Sequence, residues 1–136
     1  VSAIVDTGPL VALIDRRERH HAWARETLGG LEPPLLTCEA VISEACFVLG
    51  HLKGGRNAVL SLVSRGIVVP TFRLESESEA VRKLVMKYAN VPMSLADACL
   101  LRMSELAPRM AVITLDSDFR TYRRNGRQVV PVVMPD

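Results

Sequence analysis

The chain has 136 residues, 49% of them hydrophobic and 24% charged, and carries a formal net charge of +2. That balance is expected of one globular domain with a true core, and it excludes both an intrinsically disordered segment and a strongly polybasic nucleic-acid tail. No apolar run approaches the roughly 20 residues of a membrane span, and no signal-peptide pattern precedes the first strand.

In chain order the pattern alternates strand and helix. Val1 to Val5 is a short apolar run, read as the first strand. Asp6-Thr7-Gly8-Pro9 then supplies a cap residue and a proline suited to a first turn, with a short helix expected through Leu13 and Ile14. A second helix is expected over about His20–Leu28, ended by Gly29-Gly30, before a brief strand at Leu35–Thr37. Cys38 to Leu49 and about Arg56 to Ser64 read as helices separated by Gly54-Gly55, and Ile67–Val69 as the third strand. Val81, Leu84, Val85 and Tyr88 fall at helical spacing on one inner face, while Glu75, Glu77 and Glu79 crowd the first turns, where the helix dipole favours them. Ser94 opens a buried helix closed by Pro108; Leu100, Leu101, Met103 and Leu106 supply its apolar contacts, and Ser94 with Asp97 has capping-box spacing. Ala111–Thr114 is a fourth strand and Val129–Val133 a fifth, after a turn at Asn125-Gly126. The alternation predicts α/β architecture with a mostly parallel sheet.

Four acidic residues sit in or against apolar sequence: Asp6 in AIVDTGPL, Glu44 in VISEACFVL, Asp97 in MSLADACLL and Asp116 in AVITLDSDF. An unpaired charge in such a setting costs several kcal/mol when buried, or shifts its pKa until it is neutral. Asp6 and Asp116 each follow a strand, so both fall at the carboxyl edge of the sheet, where open α/β folds gather ligands. Each acid also has a local structural reading: Asp6 as a helix cap, Asp97 as half of a capping box, Asp116 and Asp118 as caps of the turn after strand four. Glu44 is expected to point inward, and no lysine or arginine lies within one helical turn of it. Together the four point to a hard divalent cation, which prefers oxygen ligands and offsets carboxylate repulsion.

The remaining chemistry-bearing residues suggest less. Cys38, Cys46 and Cys99 lack metal-binding spacing and read as reduced core thiols of a cytoplasmic protein. His20, His21 and His51 lie far from the acidic motifs in sequence and read as surface or capping residues. The Asp-Thr-Gly of aspartic proteases fits poorly, since those are all-β, and the acidic pair and lysine of a phosphoacceptor receiver are missing.

VDTGPLVAL, ISEACFVL, SLADACLL and VITLDSDF, in this order, resemble the motifs of PIN-domain nucleases, and the likeness to VapC-type toxins of toxin–antitoxin pairs runs nearly end to end. The Gly8-Pro9 pair departs from the Ser and aliphatic residue that many toxin members carry. The resemblance implies a single three-layer α/β/α domain over residues 1–136, with a central twisted sheet of about five strands. It assigns Asp6, Glu44, Asp97 and Asp116 as catalytic and metal-binding residues, Asp118 as an auxiliary ligand, and Thr7, Ser94 and Thr114 as site-supporting. It implies one or two Mg²⁺ or Mn²⁺ ions, hydrolysis of single-stranded RNA, a cognate antitoxin, and a homodimer joined through apolar surface on the first helices. Arg120, Arg123, Arg124, Arg16 and Lys53 are the candidate phosphate contacts. The competing reading is a PIN-fold binding or assembly module with weak or no nuclease activity.

Overall fold

A computed structural model describes residues 2–136; Val1, the first residue of the expected opening strand, lies outside them. Five short strands form one sheet: β1 (Ile4–Val5), β2 (Leu35–Thr37), β3 (Val68–Pro70), β4 (Val112–Ile113) and β7 (Val132–Val133). Their order is β3-β2-β1-β4-β7, and every pair is parallel, with Ile4 opposite both Leu36 and Val112. Six α-helices flank the sheet: α1 (Thr7–Ile14), α2 (His21–Gly29), α3 (Glu39–Val48), α4 (Gly55–Ser64), α5 (Leu74–Lys87) and α6 (Leu95–Leu106). Two packed groups result. α1 contacts α2, α3 and α4, while α5 lies on α6, which also reaches β1. This is the expected three-layer α/β/α arrangement, all-parallel rather than mostly parallel.

The expected fifth strand over Val129–Val133 divides in two. Gln128–Val129 (β6) turns back on Arg123–Arg124 (β5) as an antiparallel hairpin, and only Val132–Val133 joins the main sheet. Asn125 and Gly126 both adopt positive φ (50° and 86°) within the short Asn125-Gly126-Arg127 connection, a conformation that asparagine and glycine accept readily. Pro131 stands at the division; it has no N–H to donate, but its carbonyl accepts from Val112 N at 2.8 Å.

Apolar packing follows the pattern in most places. Ile4, Val5, Val41, Val68, Leu100, Leu101, Val112 and Ile113 are almost fully buried. Val85 and Leu106, expected inside, are instead among the exposed large hydrophobics, because they lie at the margins of the inner faces of α5 and α6. The exposed apolar residues on helices are Phe47 and Val48 on α3, Leu60 on α4, Leu74, Val85 and Met86 on α5, and Leu95 and Leu106 on α6. Among the described residues no exposed large hydrophobic lies on α1 or α2. Cys38 and Cys99 are buried, Cys46 is half-buried, and all three are free thiols. Among the described residues, no helix is long and apolar enough to cross a membrane.

Candidate active site

The strand ends place the acids. β1 and β4 are neighbours, so Asp6 and the Thr114–Asp116 segment leave the sheet side by side. Asp6 caps α1, its Oδ1 accepting the Thr7 amide at 2.7 Å, while its Oδ2 accepts the Thr114 hydroxyl at 2.7 Å. Thr114 Oγ1 in turn accepts the Asp116 amide at 2.9 Å. Asp116 caps the 3-10 turn Ser117–Arg120 through the Asp118 amide at 2.9 Å. The first turn of α1 can lie this close because residue 8 is glycine: a Cβ there would sit 3.2 Å from three atoms of the Leu115 side chain. The Gly8 half of the departure from the toxin pattern thus falls where a side chain would be tight against Leu115.

Asp97 arrives from the other side, in the first turn of α6. Ser94 Oγ accepts the Asp97 amide at 3.0 Å, which is one half of a capping box. The reciprocal half is not made. The Asp97 carboxylate instead accepts the Tyr122 hydroxyl at 2.8 Å, so capping alone does not account for its side chain.

Asp6, Glu44, Asp97 and Asp116 line one cavity of about 350 Å³, together with Thr7, Gly8, Val48, Leu115 and the loop residues Glu18, Arg19 and His20. Glu44 differs from expectation. It is solvent-exposed rather than inward, because the buried side of α3 is taken by Val41 and Ala45, and it reaches the cavity from the mouth. Asp118 is half-buried and does not line the cavity; its amide serves the Asp116 cap.

The electrostatics of the cavity follow from this crowding. Burial pushes the Asp6 carboxyl up to about 6, opposed by the bonds from Thr114 and Thr7 and reinforced by the charges on Asp97 and Glu44. Asp97 is also pushed up, first by burial, with the Tyr122 hydrogen bond opposing and Asp116 and Glu44 adding repulsion. Among the described residues the ion pairs are Asp15–His51, Glu79–Arg82 and Arg102 with Glu77 and Glu105; none involves the four cavity acids. Thr7 Oγ1 is buried in the same wall without a hydrogen-bond partner. Hard oxygen donors that repel one another, make no ion pair and share a wall with an orphaned hydroxyl fit a hydrated divalent ion. The acids stand apart as arranged: among the described residues no three His, Cys, Asp or Glu groups are gathered at metal-ligating spacing.

The basic residues are redistributed. Arg124 is buried and donates to the Ser104 carbonyl and hydroxyl (2.9 and 3.1 Å) and the Pro108 carbonyl (2.9 Å), so it holds the end of α6 and is not free for phosphate. Arg123 Nη1 donates to the carbonyls of Arg120, Thr121 and Tyr122, bracing the turn on which it sits. Arg120 is exposed on that turn outside the cavity lining, and Lys53 is likewise exposed and outside it. Arg16 lines a separate concavity with Leu13, Ile14, His21 and Arg25. The cation that does line the acidic cavity is Arg19, with His20 beside it. The basic tract Arg16, Arg17, Arg19 was visible in the sequence, but which of its members faces the acids depends on an aperiodic loop. Tyr122 carried a weaker signal, as a lone tyrosine among arginines, and was missed.

Comparison with curated protein sequences finds no match. Among solved structures, the chain is similar to Mycobacterium tuberculosis VapC20, described as a sarcin-ricin loop cleaving toxin, with TM-score 0.75, 19% identity, and coverage of 88% of this chain and 93% of that one. It is similar to a Klebsiella pneumoniae toxin–antitoxin complex chain (TM-score 0.67, 21% identity, 98% of each chain covered). A third likeness is to VapBC2 of Rickettsia felis bound to a promoter DNA fragment (TM-score 0.63, 10% identity, 100% of each chain). At these identities the structures speak to the fold. The PIN domain family matches the sequence over residues 3–125, a span that contains all four cavity acids, and the chain belongs to that family.

Proposed function

We propose that this protein is a divalent-metal-dependent ribonuclease that hydrolyses phosphodiester bonds of single-stranded RNA, acting as the toxin of a toxin–antitoxin pair. The observation that carries the reading is the set of four carboxylates around one cavity with no protein cation paired to any of them. Asp6, Asp97 and Asp116 would hold one or two Mg²⁺ or Mn²⁺ ions, with Glu44 reaching in from the mouth directly or through water and Asp118 remaining auxiliary through its cap. When bound, the metal supplies an activated water and stabilisation of the leaving oxygen. Thr114 orients Asp6 and the Asp116 backbone at once, and Ser94 fixes the first turn that presents Asp97. Thr7, whose hydroxyl is buried without a partner in the cavity wall, would support the site from that wall. Arg19 is placed to hold a phosphate of the bound strand, which sets its position without reading its sequence. The structural relatives, a toxin described as cleaving the sarcin-ricin loop and two toxin–antitoxin complexes, support a nuclease role and an antitoxin partner. The exposed Phe47, Val48 and Leu60 supply apolar surface for assembly, including a homodimer.

The binding-module reading draws on one observation, that the acids are not already drawn to ligating spacing. Two measurements separate the readings. Single-stranded RNA should be cleaved with Mg²⁺ or Mn²⁺ and left intact with EDTA or in Asp97→Asn; activity that survives the substitution in a nuclease-free preparation refutes the assignment. Millimolar Mn²⁺ should raise the melting temperature, since it binds the folded cavity and not the unfolded chain. An unchanged melting temperature favours the binding module.

A further inference from the structure

We infer that Tyr122 is the positioning residue that aims Asp97 for cation binding, an inference that rests on the metal-dependent reading above. Its hydroxyl donates to Asp97 Oδ2 at 2.8 Å, and among the described residues no protein donor reaches Oδ1. One carboxylate oxygen is therefore tethered while the other is left for a ligand. The tether is rigid because Tyr122 is 0% exposed and is gripped edge-on by Phe119 and Tyr88, each with ring centroids 5.1 Å away.

The chemistry of the donor matters as much as its position. A lysine or arginine at this place would neutralise Asp97 and remove the demand for a cation. A phenol is a neutral donor, so it fixes the carboxylate while leaving the cavity its negative charge. Without it, an ionised Asp97 facing Asp116 and Glu44 would relieve repulsion by rotating away. Tyr122 also belongs to the segment that begins at Asp116, its amide bonding the Asp118 carbonyl at 3.0 Å. One short turn thus carries one acid of the site and the tether of another, which couples the loop after β4 to the start of α6.

Tyr122→Phe keeps the buried ring and removes only the hydroxyl. Tyr88→Phe is the control, since the Tyr88 hydroxyl bonds Arg123 backbone and does not touch Asp97. Mn²⁺ titrated into the full chain, with free Mn²⁺ read by electron paramagnetic resonance, should bind Tyr122→Phe about tenfold or more weakly than wild type, and Tyr88→Phe like wild type. Equal affinity for wild type and Tyr122→Phe, or equal weakening in both variants, overturns the positioning role while leaving the metal reading intact. No Mn²⁺ binding by wild type overturns both. A readout that needs no variant comes from 3-fluorotyrosine, because the chain has only Tyr88 and Tyr122. Adding Mg²⁺ should shift the Tyr122 fluorine resonance more than that of Tyr88; equal shifts, or none, refute the role.

Discussion

Replacing Asp6 with asparagine should stabilise the metal-free protein at neutral pH while abolishing metal binding. Asp6 is 6% exposed, and its carboxyl is held up to about 6, against an ordinary value of 3.8, chiefly by burial. Because the folded state keeps its proton longer than the unfolded chain, this residue favours folding most below pH 3.8. That contribution is lost as pH rises through about 6. At ~1.4 kcal/mol per tenfold in proton affinity, ionised Asp6 costs the fold about 3 kcal/mol at neutral pH. Asparagine retains an oxygen for the Thr7 amide but turns a donor toward Thr114, whose Oγ1 already accepts the Asp116 amide at 2.9 Å. That mismatch costs about 1 kcal/mol. The net gain of about 2 kcal/mol corresponds to a rise in melting temperature of ~5–10 °C for a chain of this size. Thermal melts followed by circular dichroism in EDTA, from acid to neutral pH, measure it. The gap between variant and wild type should be small in acid, open through about pH 6 and then level off. A variant less stable than wild type at neutral pH, or a gap that does not vary with pH, would refute the idea that this carboxylate is held against burial and repulsion.

Other consequences are simpler. Arg19→Ala should weaken RNA binding and reduce the salt dependence of binding by about one counterion, whereas an unchanged slope in filter binding would remove Arg19 from the interface. Arg124→Ala should cost about 3 kcal/mol of stability in urea unfolding, because three hydrogen bonds from a buried guanidinium to the end of α6 are lost; a silent substitution would show that α6 needs no such brace. Gly55→Ala should destabilise by about 1–3 kcal/mol, since a Cβ there would run into the Leu49 carbonyl oxygen. Wild-type melting temperature would show that the turn into α4 yields easily.

Much of this molecule was readable in one dimension. Strand and helix periodicities are local properties, and so are caps such as Asp6 and Ser94 and the Asn125-Gly126 turn; the helices and the first four strands of the main sheet therefore stood near their expected places, while the expected fifth strand divided. The position of Asp6 and Asp116 at strand ends followed as well, because parallel α/β topology sends successive strand ends to one edge. What failed was what depends on neighbours remote in sequence. Glu44 lies on an apolar stretch of α3, yet the helix is rotated so that Val41 and Ala45 fill the interior and the acid meets solvent at the cavity mouth. Arg124 looked like a phosphate ligand within a basic tract, and only the packing of the β5–β6 hairpin against α6 turns it into a brace. The sequence by itself determined that four carboxylates stand in or against apolar stretches, a setting in which burial of an acid is costly in any fold. Only the tertiary structure decided that three of them meet Glu44 around one cavity and that Arg19 lines it with them. It also gave Tyr122 its place on Asp97, since a 2.8 Å bond between residues 25 positions apart is set by packing and by no local pattern.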